Sequence, residues 1–503
     1  MELYQVSADS LDTWIALQLQ PTEEFLQQVR EAVRRVCDFL KEKCSLDAKV
    51  VKTVKAGSAV KGTALEDNSD ADVVLFLSCF SSFQDQKLLR ESMIESIKMN
   101  LNKHWQSLAY NINILPPKRN NGPPRALTLT IQSKQKYMSI EVDILPAYDA
   151  LGQVTADTRP PPEVYVGLIR AKGEAGEFAT CFTELQRNFV KRCPTKLKNL
   201  LRLVKHWYKE VKEKLRKHDS ATSLPPKYAL ELLTIYAWES GTQEADKFST
   251  AAGFCTVMRL LIQYQELCIY WTKYYDLEHP EIGAYVKQQL KGQRPVILDP
   301  ADPTGNLGKQ AGWDLMAKEA ATCQKQQCCK NGSFPVHPWK IQPVTAVQVT
   351  VKQLAGFSLS LKLSPYVTFW QVKEEIDRAW TVSPYEQRLA LKEPGMQNTA
   401  LQDDQKLADH GVFYDVTILQ LKNEPQEMEI FVKDNNSRTP IYQVHPRETV
   451  LDLKAKISGR TGISVDQQRL TYSSKELENR HELAHYRIHS RVTIYLLLRL
   501  RGG

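Results

Sequence analysis

The sequence has 503 residues, of which 42% are hydrophobic and 25% are charged, as in ordinary folded proteins. This length predicts two to four domains, because a domain usually spans roughly 100–200 residues. The composition excludes a disordered or fibrous chain. The sequence contains no run of roughly 18 apolar residues, so no membrane span is expected.

The N-terminal segment has no basic region followed by an apolar stretch, so no secretion signal is expected. Ten cysteines, the last at Cys329, include no CxxC pair and no paired zinc-ligand spacing. They indicate reduced, mostly buried thiols. We therefore expect a cytoplasmic protein, with the nucleus as a second location.

An amphipathic helix is predicted near the N-terminus, because five apolar residues recur at helical spacing. Strand-like stretches follow around residues 50–54, 72–77 and 139–145. We predict a sheet lobe with the N-terminal helix at residues 1–180 and a helical lobe at residues 181–330. The five apolar helix residues are Phe25, Val29, Val33, Val36 and Leu40.

Three aspartates stand at the starts of apolar strand-like runs. Asp70 and Asp72 are two residues apart, so the period of a strand points both to one side, and Asp143 opens a second run. Carboxylates suit Mg²⁺, and two such ions suit in-line displacement at a phosphate. The alternative is that each aspartate simply starts a strand or closes a turn.

A loop with a glycine near each end, residues 57–63, precedes the acidic pair. Its backbone N–H groups, the Ser58 hydroxyl and Lys61 can contact a triphosphate. The loop is not a Walker A motif, because Thr63 follows the second glycine where lysine is required. Together, the loop, the acidic pair and the distant third aspartate resemble the polymerase-β-like nucleotidyltransferase fold, which is α+β.

Positive charge is concentrated between Arg187 and Lys217, where twelve Lys or Arg stand against two Glu. Such a run indicates a polyanionic partner such as nucleic acid. The alternative is the solvated face of a surface helix.

Three longer stretches narrow the resemblance to the 2′-5′-oligoadenylate synthetase family. They are LVKHWY at 203–208, YALELLTIYAW at 228–238 and ILDPADPT at 297–304. The resemblance covers roughly residues 11–330 and implies ATP and double-stranded RNA as ligands.

The resemblance also implies a role for each site residue. It implies that Asp70, Asp72 and Asp143 are catalytic and hold two Mg²⁺ ions, with Asp143 as the base toward the attacking 2′-hydroxyl. The implied ATP-binding residues are Ser58, Lys61, Arg202, Lys205 and Tyr228. The implied RNA-binding residues, on the face opposite the catalytic cleft, are Lys55, Arg187, Lys191, Thr195 and Lys196.

The expected function is RNA-activated polymerisation of ATP with release of pyrophosphate, in interferon-induced innate antiviral defence. The chain departs from the family pattern at Ala59 and Val60, where serine and a flexible glycine are usual, and at Lys227, where glutamine is common. The alternative is a catalytically weak or inactive double-stranded-RNA sensor that acts as an adaptor through its C-terminal domains. The intact carboxylates favour the enzyme.

Residues 331–345 contain three prolines in a polar setting and predict a linker. Beyond them the sequence repeats itself with an offset of 81 positions. VKEEI at 372–376 recurs as LKAKI at 453–457, and this predicts two copies of one small domain.

We predict ubiquitin-like β-grasp domains at residues 346–424 and 427–503. The first copy carries five extra residues around Pro394-Gly395, because the closing strands are offset by only 76. The second copy resembles ubiquitin from its opening MEIFVK to its final RLRGG. We expect signalling proteins as partners of these domains. The terminal Gly503 is either a conjugation site or an inherited end without conjugation.

Overall fold

The computed structural model describes residues 2–44, 46–66, 70–104, 110–116, 123–133, 139–219, 221–393 and 397–498. The chain forms two compact units, Met1–Val344 and Thr345–Gly503. Their sheets and helices confirm the α+β class. Within the described residues, no helix combines the length and apolar character needed to cross a membrane.

The first unit contains a five-stranded mixed sheet in the order β1-β2-β5-β4-β3. β2 and β5 are parallel, and the other neighbouring strands are antiparallel. The strands are β1 (Val50–Gly57), β2 (Asp70–Leu77), β3 (Tyr110–Ile114), β4 (Leu127–Ser133) and β5 (Ser139–Ala147).

The helices of this lobe are α2 (Glu23–Glu42), α3 (Ser58–Lys61) and α4 (Phe83–His104), whereas the preceding α1 (Leu11–Gln18), predicted within the sheet lobe, packs against the helical part of the unit. α2 is the expected amphipathic helix, and the Thr22 hydroxyl caps its first turn by accepting from the Phe25 N–H. Its apolar side chains pack with those of α4 against alternate residues of β2, β4 and β5. One sheet face is therefore core, and the residues between these positions point to the opposite face.

The rest of the first unit is mainly helical, as expected. The helices are α5 (Pro162–Arg170), α6 (Thr183–Lys191), α7 (Thr195–His218), α8 (Lys227–Thr242), α9 (Thr250–Ile262), α10 (Pro280–Leu290) and α11 (Trp313–Cys323). Two short parallel strands, β6 (Cys268–Ile269) and β7 (Val296–Ile297), lie between them. Ten consecutive residues of α8, from Ala229 to Trp238, are buried, so this helix forms the centre of the lobe.

The segment predicted to be a linker is held against the first unit. A short hairpin of β8 (Lys330–Asn331) and β9 (Phe334–Pro335) opens it. The Trp339 N–H then donates to the Thr256 hydroxyl at 2.8 Å, and the Tyr236 hydroxyl donates to the Val344 carbonyl at 2.7 Å. The extended, proline-containing backbone leaves N–H and carbonyl groups for partners outside the segment, and side chains of α8 and α9 bind them.

The second unit contains two sheets with one topology, which confirms the repeat. The first copy comprises β10 (Val347–Gln353), β11 (Ser358–Leu363), α12 (Phe369–Trp380), β12 (Gln387–Lys392), β13 (Thr399–Leu401) and β14 (Val416–Lys422). The second comprises β15 (Met428–Lys433), β16 (Ile441–Val444), α13 (Val450–Thr461), β17 (Gln468–Tyr472), β18 (Lys475–Glu476) and β19 (Thr493–Leu498).

Matched internal contacts show how closely the two copies agree. The buried Gln387 side chain donates to the carbonyls of Lys373 and Val382. Gln468, 81 positions later, donates to the carbonyls of the corresponding residues in the second copy. The inserted Pro394-Gly395 and the terminal Gly503 both lie outside the described residues.

Candidate active site

The expected catalytic acids meet on the two parallel strands. Asp72 on β2 is the register partner of Asp143 on β5, and Asp70 is the partner of Glu141. Adjacent strands lie about 4.8 Å apart, so the Asp72 and Asp143 side chains emerge side by side on the face opposite α2 and α4. The Asp70 backbone belongs to β2, and the Asp70 side chain is not among the described parts of the structure.

Asp143 is oriented from its other side by β4. Thr128 is its antiparallel register partner, and the Thr128 hydroxyl donates to Asp143 Oδ1 at 2.6 Å. A short hydrogen bond to a carboxylate limits its rotation. The partly exposed acid is therefore presented in one direction.

This pair fits a divalent cation. Two carboxylates held on neighbouring strands are the oxygen donors that Mg²⁺ prefers, and the ion would offset their mutual repulsion. Asp72 and Asp143 would supply such donors.

The loop after β1 is shaped by its two glycines. Gly57 has φ 89° and ψ −178°, and Gly62 has φ 76°, both in regions that side chains rarely adopt. Between them Ser58–Lys61 forms the single turn α3, closed by the Thr63 N–H donating to the Ser58 carbonyl at 2.9 Å. Ser58 and Lys61 are thus carried by one tight turn beside the start of β2.

Lys61 and Lys205 both bind one buried carboxylate, Glu231 of α8. The Lys61 ammonium lies 3.0 Å from one Glu231 oxygen, and the Lys205 ammonium lies 2.6 Å from the other. Lys205 also donates to the Thr63 hydroxyl at 2.9 Å. The two lysines expected to bind triphosphate are therefore joined through an acid.

Electrostatics keeps this group charged. Burial alone would raise the pKa of Glu231, but Lys205 and Lys61 outweigh it and lower that pKa to about 2. Burial lowers the pKa of Lys205, and the Glu231 charge opposes that change. We name the Lys61–Glu231–Lys205 group the lysine–glutamate cluster.

Arg202, one turn before Lys205 on α7, braces the loop. Its Nε donates to the Ala64 carbonyl at 3.0 Å, and another guanidinium nitrogen donates to the Gly62 carbonyl at 2.8 Å. Burial lowers the pKa of this arginine. Arg202 and Lys205 therefore reach the same loop, as their spacing on the helix requires.

Tyr228, at the start of α8, lies beside Lys61 of the 57–63 loop. The Lys61 ammonium sits 4.8 Å from its ring centroid, and its buried hydroxyl points to Asp299 Oδ1 at 3.4 Å. Gln186 donates to the other Asp299 oxygen at 2.5 Å. Burial and the neighbouring Asp302 raise the pKa of Asp299 to about 7.

The expected RNA-binding residues divide between two regions. Lys55 is the register partner of Val73, and register partners lie on the same face of a sheet. Val73 belongs to the core on the α2 side, so Lys55 lies on the face opposite Asp72. The other four lie on α6 and at the start of α7. They are Arg187, Lys191, Thr195 and Lys196.

The start of α7 is suited to phosphate. Its first turn contains no acidic residue and its N-cap, Pro194, offers no side-chain cap, so the helix dipole presents positive potential there. The Lys196 ammonium is also paired with Asp12 at 2.7 Å. An RNA phosphate would compete with that exposed ion pair.

Sequence reasoning missed three residues that shape the site: Thr128, Glu231 and Asp299. The sequence could have predicted a buried ion pair at Glu231, because a single acid in an apolar helical run is seldom buried without a partner. The roles of Thr128 and Asp299 could not be predicted in this way, since their partners depend on strand register and on loop packing.

Three family models match the chain. The nucleotidyltransferase domain model matches residues 33–119, and the model for 2′-5′-oligoadenylate synthetase 1, domain 2, C-terminus matches residues 158–344. The ubiquitin family model matches residues 430–501.

Curated relatives match over long spans. The chain is 44% identical to 2′-5′-oligoadenylate synthase-like protein 2 of Mus musculus over 503 residues, which covers 99% of this chain and 98% of the relative. Identity to 2′-5′-oligoadenylate synthase-like protein 1 of Mus musculus is 40%, covering 100% and 98%. Identity to 2′-5′-oligoadenylate synthase 1A of Rattus norvegicus is 46%, covering 68% and 96%.

The lysine–glutamate cluster generates a stability prediction. Glu231→Gln should reduce the free energy of unfolding by about 3–5 kcal/mol, because the buried Lys205 ammonium and the partly buried Lys61 ammonium lose their counter-charge. Urea denaturation measures the change. Glu95→Gln, which breaks an exposed pair with Lys98, is the control and should cost less than about 1 kcal/mol. Equal effects of the two variants would contradict the assigned role of the cluster.

Asp299 generates a pH prediction. In the folded protein Asp299 retains its proton up to about pH 7, whereas an unfolded aspartate releases it near its ordinary pKa of 3.8. The stability that this proton contributes is complete below about pH 4 and is lost as pH rises through about 7. Between these two values the folded state binds one proton more than the unfolded state, so the free energy of unfolding falls as pH rises. Asp299→Asn should flatten this part of the stability–pH curve from urea titrations. The exposed Asp314→Asn should not, and an unaltered slope in Asp299→Asn would refute the assignment.

Proposed function

This chain belongs to the 2′-5′-oligoadenylate synthetase family, and we propose that it polymerises ATP into 2′-5′-linked oligoadenylates when double-stranded RNA binds. Pyrophosphate is the second product. The proposal includes a role in interferon-induced antiviral defence within the cytoplasm, with the nucleus as a second location.

The main support is the register pairing of Asp72 with Asp143 beside the 57–63 loop. Nucleotidyl transfer needs carboxylates next to a site that can hold a triphosphate. Mg²⁺, expected as two ions on Asp70, Asp72 and Asp143, would neutralise phosphate charge and lower the pKa of the attacking hydroxyl. The parallel strands β2 and β5 place Asp72 and Asp143 side by side, where both could bind the same ion.

In the proposed reaction, the 2′-oxygen of an acceptor adenosine attacks the α-phosphorus of a donor ATP. The new P–O bond replaces the bond to the leaving pyrophosphate, and Asp143 accepts the hydroxyl proton. Thr128 keeps the Asp143 carboxylate aimed at that hydroxyl. Lys61, Lys205 and Arg202 bind the donor phosphates, Ser58 contributes its hydroxyl, and the Tyr228 ring stacks on adenine.

Donor binding then requires a change in the lysine–glutamate cluster. Glu231 already neutralises Lys61 and Lys205, so a triphosphate must compete with this carboxylate for both ammonium groups. RNA bound on α6 and α7 is suitably placed to assist. α6 packs against α3 and β1, and Lys198 of α7 lies beside Gly62.

The second candidate function is a double-stranded-RNA sensor with little or no catalysis. The same cluster favours it, because an acid that holds both lysines weakens their affinity for phosphate. RNA binding would then be reported through the ubiquitin-like domains to signalling proteins. Product formation distinguishes the two candidates.

The enzymatic proposal predicts oligoadenylates and pyrophosphate from purified full-length protein, ATP, Mg²⁺ and duplex RNA. Asp72→Asn should reduce the rate by about 100-fold or more, since even residues that only support metal ligands are worth about 10–100-fold. Chromatography of products and a pyrophosphate assay measure both.

The matched control is Asp38→Asn, which removes an exposed aspartate on α2 and should leave the rate unchanged. A wild-type protein that binds RNA but forms no product would reject the enzyme and favour the sensor. Full activity in Asp72→Asn would reject the residue assignment.

RNA binding generates a separate prediction. Arg187→Ala with Lys191→Ala should weaken duplex binding and lower the slope of log K against log salt by about 2, if each residue neutralises one phosphate. The sequence of the duplex should have little influence, because duplex RNA is recognised by shape. Fluorescence anisotropy at several salt concentrations measures the slope.

Arg216→Ala with Lys217→Ala is the control, because it removes the same charge from the exposed last turn of α7. Its slope should equal that of the wild type. Equal losses in both double variants would show that net charge, not the α6 surface, governs binding.

A further inference from the structure

Four buried cysteines from separate segments of the first unit lie together. Three of them, Cys323, Cys328 and Cys329, have sulfur atoms within 4.8 Å of one another. Cys255 lies on α9, which packs against the segment that carries Cys328 and Cys329, and its thiol neighbours that of Cys329. Each of the four residues is at most 3% exposed. We name this group the cysteine cluster; its members are Cys255, Cys323, Cys328 and Cys329.

The sulfur spacing matches a tetrahedral metal site. With zinc–sulfur bonds of about 2.3 Å, two thiolates on one zinc ion lie about 3.8 Å apart. The Cys323 and Cys328 sulfur atoms are 3.9 Å apart. A disulfide would require about 2.05 Å. The Cys323, Cys328 and Cys329 sulfur atoms therefore need little movement to face one ion, and the Cys255 sulfur has to move closer to complete the tetrahedron.

The supporting elements come from different parts of the chain. Cys323 ends α11, Cys328 and Cys329 lie in the 3₁₀ helix Gln327–Cys329, and Cys255 lies on the adjacent helix α9. Cys255 is far from the other three in the sequence, and Cys323, Cys328 and Cys329 are not spaced as a CxxC pair. A spacing search therefore fails to find them.

We propose that the cysteine cluster binds one zinc ion in a closed, structural, four-thiolate site. Binding releases four protons from the thiols and leaves a net charge of −2 on the site. Arg259 stands one turn after Cys255 on the same face of α9, and its Nε has no hydrogen-bond acceptor among the described residues. Its guanidinium, which donates to the Trp339 and Ile341 carbonyls, brings positive charge to α9. The ion joins α9 to the end of α11.

The test is metal analysis of full-length protein purified under reducing conditions without chelator. Mass spectrometry of the elements should find about one zinc per chain, since a structural site takes four protein ligands. The Cys323→Ser, Cys328→Ser double variant should lose this zinc. Cys37→Ser, which alters another buried cysteine on α2, should retain it.

A second measurement applies if the double variant fails to fold. Wild-type protein refolded with cobalt should show thiolate-to-cobalt charge-transfer absorption and the visible bands of a tetrahedral site. A strong chelator should lower its melting temperature, since metal binding contributes to folding. Stoichiometric absence of zinc, absence of the cobalt bands, or a native Cys323–Cys328 disulfide found by peptide mass spectrometry would each overturn the proposal.

Discussion

The first unit depends on one buried carboxylate. Glu231, in the first half of α8, joins that helix to α7 through Lys205 and to the 57–63 loop through Lys61. A buried charge is tolerated only where close opposite charges and hydrogen bonds offset its desolvation. The positions of both lysines are therefore fixed by the folding of the helical lobe, and the loop of the sheet lobe is fixed with them.

The arrangement of the acids could be predicted because a strand alternates its faces. Asp72 and Asp143 stand between apolar residues that face α2 and α4, so the same burial that forms the core points both acids away from it. The two ubiquitin-like domains could be predicted because a repeat of 81 positions preserves buried contacts such as those of Gln387 and Gln468. Such features depend on short-range periodicity or on self-similarity.

Contacts between distant segments could not be predicted in the same way. The partners of Glu231 and Asp299 come from helices and loops that meet only in the folded lobe. Residues 331–344 have the composition of a linker, yet Tyr236 and Thr256 bind their backbone. The composition of residues 331–344 predicts the lack of regular secondary structure. It does not predict which side chains bind the N–H and carbonyl groups of this segment.

The departures at Ala59 and Val60 affect chemistry more than loop shape. Both residues lie within the turn of α3, where the helical backbone accepts a β-branched side chain, and the positive φ angles fall on Gly57 and Gly62 instead. Arg202 holds the Gly62 and Ala64 carbonyls from outside the turn. The loop therefore keeps its conformation without a flexible residue at position 60. In the ATP site that we propose, alanine at position 59 would remove one hydroxyl from the phosphate contacts. Lys61 would then carry a larger share of those contacts, and its release from Glu231 would be the step on which donor binding depends.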